Sequence, residues 1–202
     1  MTPTLKYLWL TLKHKAFVFR AGLKTRAPLW RLVIHDWSKF TLAEAPHYGR
    51  QFFGAKDDPQ GFARAWLHHQ NCNPHHWEYW IPRTGHGRGD DDLVSLPMPE
   101  WAVREMVADW LGASRAYGGT WPNGVIHWKW FCDNWYSISR RMDRLTIMRV
   151  EMVMREMFPA PRWTCLACQD DDCAKHGSSI AGAICYEIAC PVCERVGRKL
   201  AA

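Results

Sequence analysis

The chain has 202 residues, of which 48% are hydrophobic, so it can form one globular domain with a real core and a small appendage. Its formal charge of +6 favours anionic partners such as nucleotides, nucleic acid or phosphoesters. No stretch approaches the ~20 apolar residues of a membrane span, and the N-terminal residues lack the features of a signal peptide. We therefore expect a cytoplasmic protein with no membrane association.

Apolar residues at near-helical spacing predict four helices in the first part of the chain. Their expected extents are residues 4–24, ending near Gly22; residues 29–40, after Pro28; a short helix capped by Thr41, with Glu44 in the capping-box position; and residues 62–70. His14 lies in the middle of the first of them.

Turn signals and charge place the loops of the middle segment. Asn73 and Pro74 form a turn signal, so the two histidines that follow should open a turn or a short helix. Residues 82–97 are expected to form a flexible loop, in which the aspartates at 90–92 are solvated.

Two more helices complete the predicted helical domain. Pro99 and Glu100 begin a clear helix that stops before Gly118. Residues 134–158 are expected to form one long final helix, which ends at a proline pair. Strand signals are nearly absent before residue 160, so the predicted fold class of residues 1–158 is all-α.

Candidate metal ligands lie on three of these predicted helices. His35 and Asp36 are adjacent, and neighbouring side chains on a helix diverge by about 100°, which lets both grip one side of an ion. Lys39 lies one turn beyond His35, near enough to hold an anionic group bound to that ion. His14 and Asp109 come from two other helices, and aspartate is a poor helix-interior residue that needs a reason.

Four further histidines stand between these ligands along the chain, as the adjacent pairs His68-His69 and His75-His76. Imidazole and carboxylate together suit Zn, Mn, Fe, Co or Ni, so the ligand types do not fix the metal. The alternative is that all these residues form a buried, hydrogen-bonded polar cluster without an ion.

The order H…HD…D, with Lys39 three residues after Asp36, resembles the HD-domain superfamily of metal-dependent phosphohydrolases. The resemblance implies an HD-domain-like helical bundle whose core ligands are His14, His35, Asp36 and Asp109. One histidine of each adjacent pair (His68 or His69, His75 or His76) would complete a second site. Lys39 matches the lysine that contacts a substrate phosphate, whereas Ser38 stands where many members have glycine.

Longer segments also resemble an uncharacterised bacterial and phage protein family. These segments are HDWSKF, AWLHHQNCNPHHWEYW and MPEWAVREMVADWLGASRAYGG. The likeness covers roughly residues 5–158, and it implies no activity.

The HD resemblance implies metal-assisted hydrolysis of a nucleotide or another phosphoester, in which the metal lowers the pKa of a bound water toward ~7. Lys39, Arg31 and Arg104 would neutralise phosphate charge. Asp36 would act both as ligand and as proton acceptor. A rival interpretation is a di-iron oxygenase, because some proteins that resemble the histidine-rich HD form are oxygenases and the ligand types fit either chemistry.

Six of the eight cysteines follow residue 164, which predicts a separate zinc-ribbon or zinc-knuckle module at residues 159–202. Cys165 and Cys168 form one short pair, Cys190 and Cys193 form the other, and 21 residues separate the pairs. The alternate zinc ligands are Cys173, His176 and Cys185. A tail of ~40 residues needs the zinc to fold.

The zinc module supports a second class of function. Arg195, Arg198 and Lys199 follow its last cysteine pair and could contact nucleic acid. In this alternative the chain is a nucleic-acid-binding or protein-binding zinc module on a helical scaffold without catalysis.

Overall fold

The computed structural model describes residues 1–87, 92–125 and 127–158. The described residues contain seven α-helices, which we number in chain order, and two 3₁₀ helices. The α-helices are α1 Pro3–Thr25, α2 Leu29–Ile34, α3 Ala45–Phe53, α4 Pro59–Cys72, α5 Glu100–Gly118, α6 Lys129–Ser139 and α7 Arg144–Met157, and the 3₁₀ helices are Trp37–Phe40 and Trp77–Trp80. Across the described ranges the only β pairing is an isolated bridge between Arg83 and Leu93. The all-α prediction is therefore confirmed for these residues.

The chain divides into two compact units, Met1–Trp121 and Pro122–Ala202. In the described part of the second unit, α6 and the residues before it carry a row of stacked aromatic rings. The ring of Phe131 lies 5.3 Å from that of Trp128 and 5.0 Å from that of Trp135. The domain boundary predicted after residue 158 meets the end of the described residues, and it stays a prediction.

The first unit is organised around the long helix α1, which packs against α3 and α5. Thr2 caps this helix by accepting a hydrogen bond from the backbone N–H of Leu5, and Pro3 occupies the first turn. Close approach of the helices depends on glycine. A Cβ on Gly112 of α5 would lie 2.8 Å from the backbone nitrogen of Val18 in α1. The small residue thus allows α5 and α1 to approach at backbone distance.

The predicted helix over residues 29–40 is wrong, because the chain breaks at His35 and Asp36. Helix α2 ends at Ile34, and Asp36 adopts the left-handed conformation with a φ of 55°. Aspartate tolerates this conformation better than most residues. Lys15 of α1 donates hydrogen bonds to the carbonyl oxygens of Val33 and His35, which ties the break to α1.

The expected capping role of Thr41 is also wrong. Thr41 follows the 3₁₀ helix and donates its hydroxyl to the carbonyl of Ser38, and α3 begins only at Ala45. Glu44 occupies the N-cap position without a capping hydrogen bond from its side chain. Its carboxylate is buried and is used elsewhere in the fold.

The long helix predicted over residues 134–158 is in fact two helices. Helix α6 ends at Ser139, and α7 starts after Asp143, whose side chain accepts a hydrogen bond from the N–H of Leu145. An N-cap aspartate starts a helix by satisfying one of its free N–H groups.

The prediction that the aspartates at 90–92 are solvated is wrong for Asp92. This residue is 4% exposed, and it accepts hydrogen bonds from the hydroxyl of Thr84 and from the backbone N–H groups of His86 and Gly87. Asp92 therefore holds the loop together. The other two aspartates lie outside the described residues.

None of the helices in the described ranges is long and apolar enough to cross a membrane.

Candidate metal centre

The middle of the first unit holds a buried cluster of imidazoles and carboxylates. Its members come from α1, the break after α2, α4, the turn before the second 3₁₀ helix, and α5; they are His14, His35, Asp36, His69, His75, His76 and Asp109. Most of these side chains have almost no contact with solvent, although imidazole and carboxylate groups are costly to bury.

The first ligand group consists of His14, His35, Asp36 and Asp109, whose ligand atoms all lie within 4.8 Å of one another. Nε2 of His14 lies 2.9 Å from Oδ1 of Asp109 and 3.3 Å from Oδ2 of Asp36. Nε2 of His35 lies 3.4 Å and 3.5 Å from the same two oxygen atoms. This set matches the core ligands that the HD resemblance implied.

The second ligand group consists of Asp36, His69, His75 and His76, again with ligand atoms within 4.8 Å. Oδ1 of Asp36 lies 3.4 Å from Nε2 of His69 and 3.4 Å from Nε2 of His75. Nε2 of His76 is 2.9 Å from Nε2 of His69. Both histidines of the later pair therefore join the cluster, where one was expected.

Asp36 belongs to both groups. Its Oδ2 faces the first group and its Oδ1 faces the second, so one carboxylate stands between two sets of ligand atoms. The left-handed backbone at the helix break places this carboxylate inside the bundle. Lys39, three residues later in the 3₁₀ helix, has its Nζ 2.5 Å from Oδ2 of Asp36.

Two buried glutamates hold the rear nitrogen atoms of the histidine rings. Oε1 of Glu105 lies 3.1 Å from Nδ1 of His35 and 3.2 Å from Nδ1 of His75. Oε2 of Glu44 lies 3.1 Å from Nδ1 of His69. An N–H at Nδ1 that donates to a carboxylate leaves the lone pair of Nε2 facing the cluster, which is how protein metal sites orient their histidines.

The spacing and chemistry of these atoms fit a cation. The lone pair on Nε2 of His35 faces the carboxylate oxygens of Asp36 and Asp109. Contact between hydrogen-bond acceptors is unfavourable unless a proton or a metal ion lies between them. Atoms that each bind one ion at about 2.1 Å stand roughly 3.0–3.5 Å apart in tetrahedral or octahedral geometry. Most of the nitrogen–oxygen distances in both groups fall in this range.

The carboxylates of the cluster hold the pKa of three histidines above the ordinary value. Burial alone lowers the pKa of His14, but hydrogen bonds to Asp109 and Asp36 outweigh it. For His35 the opposing causes are burial and the charge of Asp36, and its pKa is raised. Burial and the charge of His35 lower the pKa of His75. Interactions with Asp36 and Glu105 raise it by more, so the pKa of His75 is raised overall.

The two other histidines of the second group behave in the opposite way. Burial, followed by the charges of His75 and His69, lowers the pKa of His76 well below the ordinary value. Burial also lowers the pKa of His69, and Asp36 only partly offsets it. Both shifts favour the neutral ring, which is the form that binds metals.

The acidic groups stay ionised. Burial raises the pKa of Asp36, but the charges of His35, Lys39 and His69 together hold it well below the ordinary value. Burial likewise opposes the hydrogen bonds of His14 and His35 at Asp109, and its pKa is also well below the ordinary value. The pKa of Glu105 is lowered to about 2, because hydrogen bonds from His35 and His75 outweigh its burial.

Three residues predicted for the site do not join either ligand group. The ring of His68 stands on the outer side of α4, 39% exposed, with Nδ1 2.8 Å from Glu44. Nε of Arg31 lies 2.7 Å from Oε2 of Glu105. Arg104 donates to Glu100 and to the backbone carbonyl of Thr25.

Glu44 and Glu105 were not predicted as parts of the site. The available signal for Glu105 is its position four residues before Asp109, on the same face of α5. Glu44 gives no such signal, since its place beside His69 depends on tertiary packing. Ser38, the departure from the glycine of the HD motif, has its hydroxyl 3.1 Å from Nδ1 of His69 and accepts a hydrogen bond from Asn73.

The predicted zinc ligands between Cys165 and Cys193 lie outside the described residues. Cys72 and Cys132, which fall inside them, are not bonded to each other and are partly buried.

Comparisons with known proteins assign the chain to a family but to no activity. Neither the curated proteins nor the solved structures gave a match. A family model described as "Family of unknown function (DUF5662)" matches residues 4–156, which include every ligand of the buried cluster. Because the match spans well over half of the sequence, the chain belongs to the DUF5662 family.

Proposed function

We propose that this protein is a metal-dependent phosphohydrolase with an HD-like helical bundle, which acts on a nucleotide or another phosphoester. The observation that carries the proposal is the single carboxylate of Asp36, which is shared by two ligand groups and paired with the Lys39 ammonium. Two adjacent ion positions with a cation beside them suit an anionic phosphoryl group.

The residues of the cluster divide the work between binding ions and binding substrate. The two ligand groups would hold one or two divalent ions of Zn, Mn, Fe, Co or Ni, which supply the Lewis acidity that phosphoester hydrolysis needs. Lys39 would neutralise a phosphoryl oxygen, and Asp36 would accept a proton or keep the nucleophile oriented. Since Arg31 and Arg104 contact other groups of the chain, Lys39 carries this role in the proposal.

The side of the cluster that faces solvent indicates where a substrate approaches. The side chains of Asp109 and Lys39 are 14% and 11% exposed, whereas those of His14 and Asp36 are 2% exposed or less. The exposed ring of Tyr117 stacks on His14 at 5.8 Å, near this more open edge. We place the phosphoryl group of the substrate here.

Tyr48 supplies a further polar group, on which the charge of Lys39 acts. It is 3% exposed, and its hydroxyl has no hydrogen-bond partner among the described residues. Its ring stacks on that of Tyr7 at a centroid distance of 5.0 Å. A phosphoryl oxygen bound at Lys39 would give this hydroxyl an acceptor, since a buried hydroxyl without a partner is costly.

The proposal also extends to parts of the chain beyond the helical unit. We infer a structural zinc ion in the cysteine-rich segment after residue 158, nucleic acid as a partner of its basic residues, and a cytoplasmic location. These inferences rest on the sequence pattern alone.

A di-iron oxygenase remains the second candidate, and the composition of the ligand set favours considering it. Five of the seven cluster ligands are imidazoles, and such nitrogen-rich sites suit iron as well as zinc. Iron in the purified protein, with an absorption band that changes on reduction, would favour the oxygenase over the hydrolase.

The test of the phosphohydrolase uses the full chain, first dialysed against a chelator so that zinc does not already fill the ligand groups. Release of inorganic phosphate is then measured with added Mn²⁺, Co²⁺ or Fe²⁺ on nitrophenyl phosphate and a panel of nucleotides. Asp36→Asn is the decisive variant, because asparagine tolerates the left-handed backbone while it loses the charge shared by both groups. We expect its kcat/KM to fall by at least about 100-fold.

His68→Ala is the matched control, because this histidine lies beside His69 on α4 but outside both ligand groups. It should keep activity within a few-fold of the wild type. Hydrolysis that survives in Asp36→Asn, or a wild-type protein that hydrolyses no phosphoester with any of these metals, contradicts the proposal.

A further inference from the structure

We propose that Glu105 is a positioning residue for both ligand groups at once, so that the two ions of the centre bind as a coupled pair. This inference rests on the metal centre proposed above and adds how ion binding in one ligand group affects ion binding in the other.

The geometry of one carboxylate oxygen carries the inference. Oε1 of Glu105 is hydrogen-bonded to Nδ1 of His35, a ligand of the first group, and lies 3.2 Å from Nδ1 of His75, a ligand of the second. The two ring centroids are only 4.4 Å apart. The same oxygen atom therefore sets the orientation and the tautomer of one ligand in each group.

The other oxygen atom of Glu105 is fixed as well. Oε2 lies 2.7 Å from Nε of Arg31, whose guanidinium lies 5.1 Å from the ring centroid of Trp30 and 5.0 Å from that of Trp101. A guanidinium in contact with two indole rings has little freedom. Glu105 is itself fully buried, so its carboxylate cannot turn toward one histidine without releasing Arg31 or the other histidine.

Glu44 provides the contrast within the same cluster. Its carboxylate is as deeply buried as that of Glu105, and it also holds a ligand histidine through Nδ1. The ligand is His69, which belongs to the second group only, and the other partner of Glu44 is the half-exposed His68. Glu44 therefore supports one ion position, and Glu105 supports two.

Coupling follows from this arrangement. An ion in the first group fixes His35, which fixes the Glu105 oxygen, which in turn fixes His75 for the second group. Binding of one ion thus lowers the entropic cost of ordering the ligands of the other ion. A coupling free energy of this kind is the same in both directions. The shared Asp36 acts in the same sense from the opposite side of the rings.

The experiment measures binding of Mn²⁺ to the full chain after dialysis against a chelator, which removes zinc that would otherwise occupy the same histidine and aspartate ligands. Mn²⁺ is a hard ion that does not compete for cysteine thiolates, so it reports on the histidine and aspartate ligands. Electron paramagnetic resonance gives the free Mn²⁺ concentration and shows a coupled signal when two ions are adjacent, and elemental mass spectrometry gives the number bound. The wild type should bind two Mn²⁺ ions, with the coupled signal present from the first additions.

Glu105→Gln and Glu105→Asp are compared with Glu44→Gln and Glu44→Asp. The Glu105 variants should lower the affinity for both Mn²⁺ ions by roughly 10–100-fold and abolish the coupled signal. The Glu44 variants should lower the affinity for one Mn²⁺ ion and leave the affinity for the other at the wild-type value. Circular dichroism checks the helical fold, and the aspartate variant keeps the buried charge opposite Arg31 if the glutamine variant does not fold.

Two results overturn the inference while leaving the phosphohydrolase intact. One is a Glu105 variant that binds two Mn²⁺ ions as the wild type does, and the other is a Glu105 variant that loses a single ion as the Glu44 variants do. A wild-type protein that binds no Mn²⁺ overturns this inference together with the metal centre itself.

Discussion

At the scale of single residues, Asp36 is the point on which the site depends. It is fully buried, it adopts a left-handed backbone, and it lies within 3.5 Å of the Nε2 atoms of His14, His35, His69 and His75. A helical Asp36 could not present both oxygen atoms to two sets of ligands from this position. The break in the helix is thus part of the site rather than a connection between elements.

The raised pKa values of His14, His35 and His75 predict how metal binding depends on pH. These rings keep a proton to higher pH than an ordinary histidine, so a metal must displace it, and affinity rises with pH through the range above about 6.5. The acidic ligands remain ionised over this pH range and do not contribute to the dependence of metal affinity on pH. Isothermal titration in buffers of different ionisation enthalpy should show protons released on Mn²⁺ binding, more at pH 6.5 than at pH 8.5.

Tyr48→Phe gives a second test at this scale. Removing a buried hydroxyl that has no partner among the described residues should raise the free energy of unfolding by about 1 kcal/mol. If this hydroxyl meets the substrate phosphate, the same variant loses about 10-fold in kcat/KM for hydrolysis. Urea unfolding and steady-state kinetics measure the two effects. A variant that is less stable than the wild type would show that the hydroxyl is already satisfied in the folded protein.

At the scale of the helices, the packing of α5 against α1 holds the ligands from opposite sides. Gly112→Ala should separate the two helices, since its Cβ would lie 2.5 Å from Cγ2 of Val18 and 2.8 Å from its backbone nitrogen. We expect a loss of about 1–3 kcal/mol in stability, together with weaker Mn²⁺ binding, because His14 and Asp109 lie on these helices.

Gly118→Ala is the control for this prediction. Gly118 is the last residue of α5, and an added Cβ would meet no atom of the described residues within 4 Å. It should leave stability and metal binding unchanged within about 0.5 kcal/mol. Equal effects of the two alanines would show that helix contact at Gly112 does not matter.

The helices themselves were predictable where local chemistry marks their ends. The proline and glutamate at the start of α5 and the apolar spacing of α1 gave bounds close to the observed ones. The break at His35 has no glycine or proline, and an uninterrupted apolar pattern continues across it. The break before α7 was missed in the same way, because Asp143 caps α7 within an arginine-rich stretch that reads as one amphipathic helix.

The site was predictable in its outline but not in its detail. The order of His14, His35, Asp36 and Asp109 along the chain was enough to predict the first group. Sequence spacing could not decide which member of an adjacent histidine pair turns inward. In α4 the side chain of His69 points toward the cluster and that of His68 points away from it. His75 and His76 lie in a turn, where two neighbouring side chains can both face the cluster.

At the scale of the whole molecule, the proposed ions would stabilise the fold through the ligand cluster. Without ions, the protons on His14, His35 and His75 stabilise the facing carboxylates. Because their pKa values are raised, this contribution is complete below their unfolded value and is lost as pH rises through the folded value.

Chelation should therefore destabilise the protein more at pH 8 than at pH 6.5. An ion present at 100 times its dissociation constant stabilises the folded state by about 2.7 kcal/mol. For a domain of this size, that corresponds to a shift in Tm of roughly 5–11 °C. Differential scanning fluorimetry with and without chelator at the two pH values measures the difference. A Tm that does not respond to chelator at either pH would contradict a metal-filled cluster.

The burial of the cluster has a kinetic consequence. Ligands on α1, α4 and α5 leave only the edge at Asp109 and Lys39 partly open, and an ion held from several helices leaves once a local opening of those helices has withdrawn some of its ligands. A chelator can then only capture ions that such an opening has freed. The rate at which chelator strips the protein should thus be independent of chelator concentration, and it should match the amide hydrogen-exchange rate of the slowest opening that separates α1 from α5.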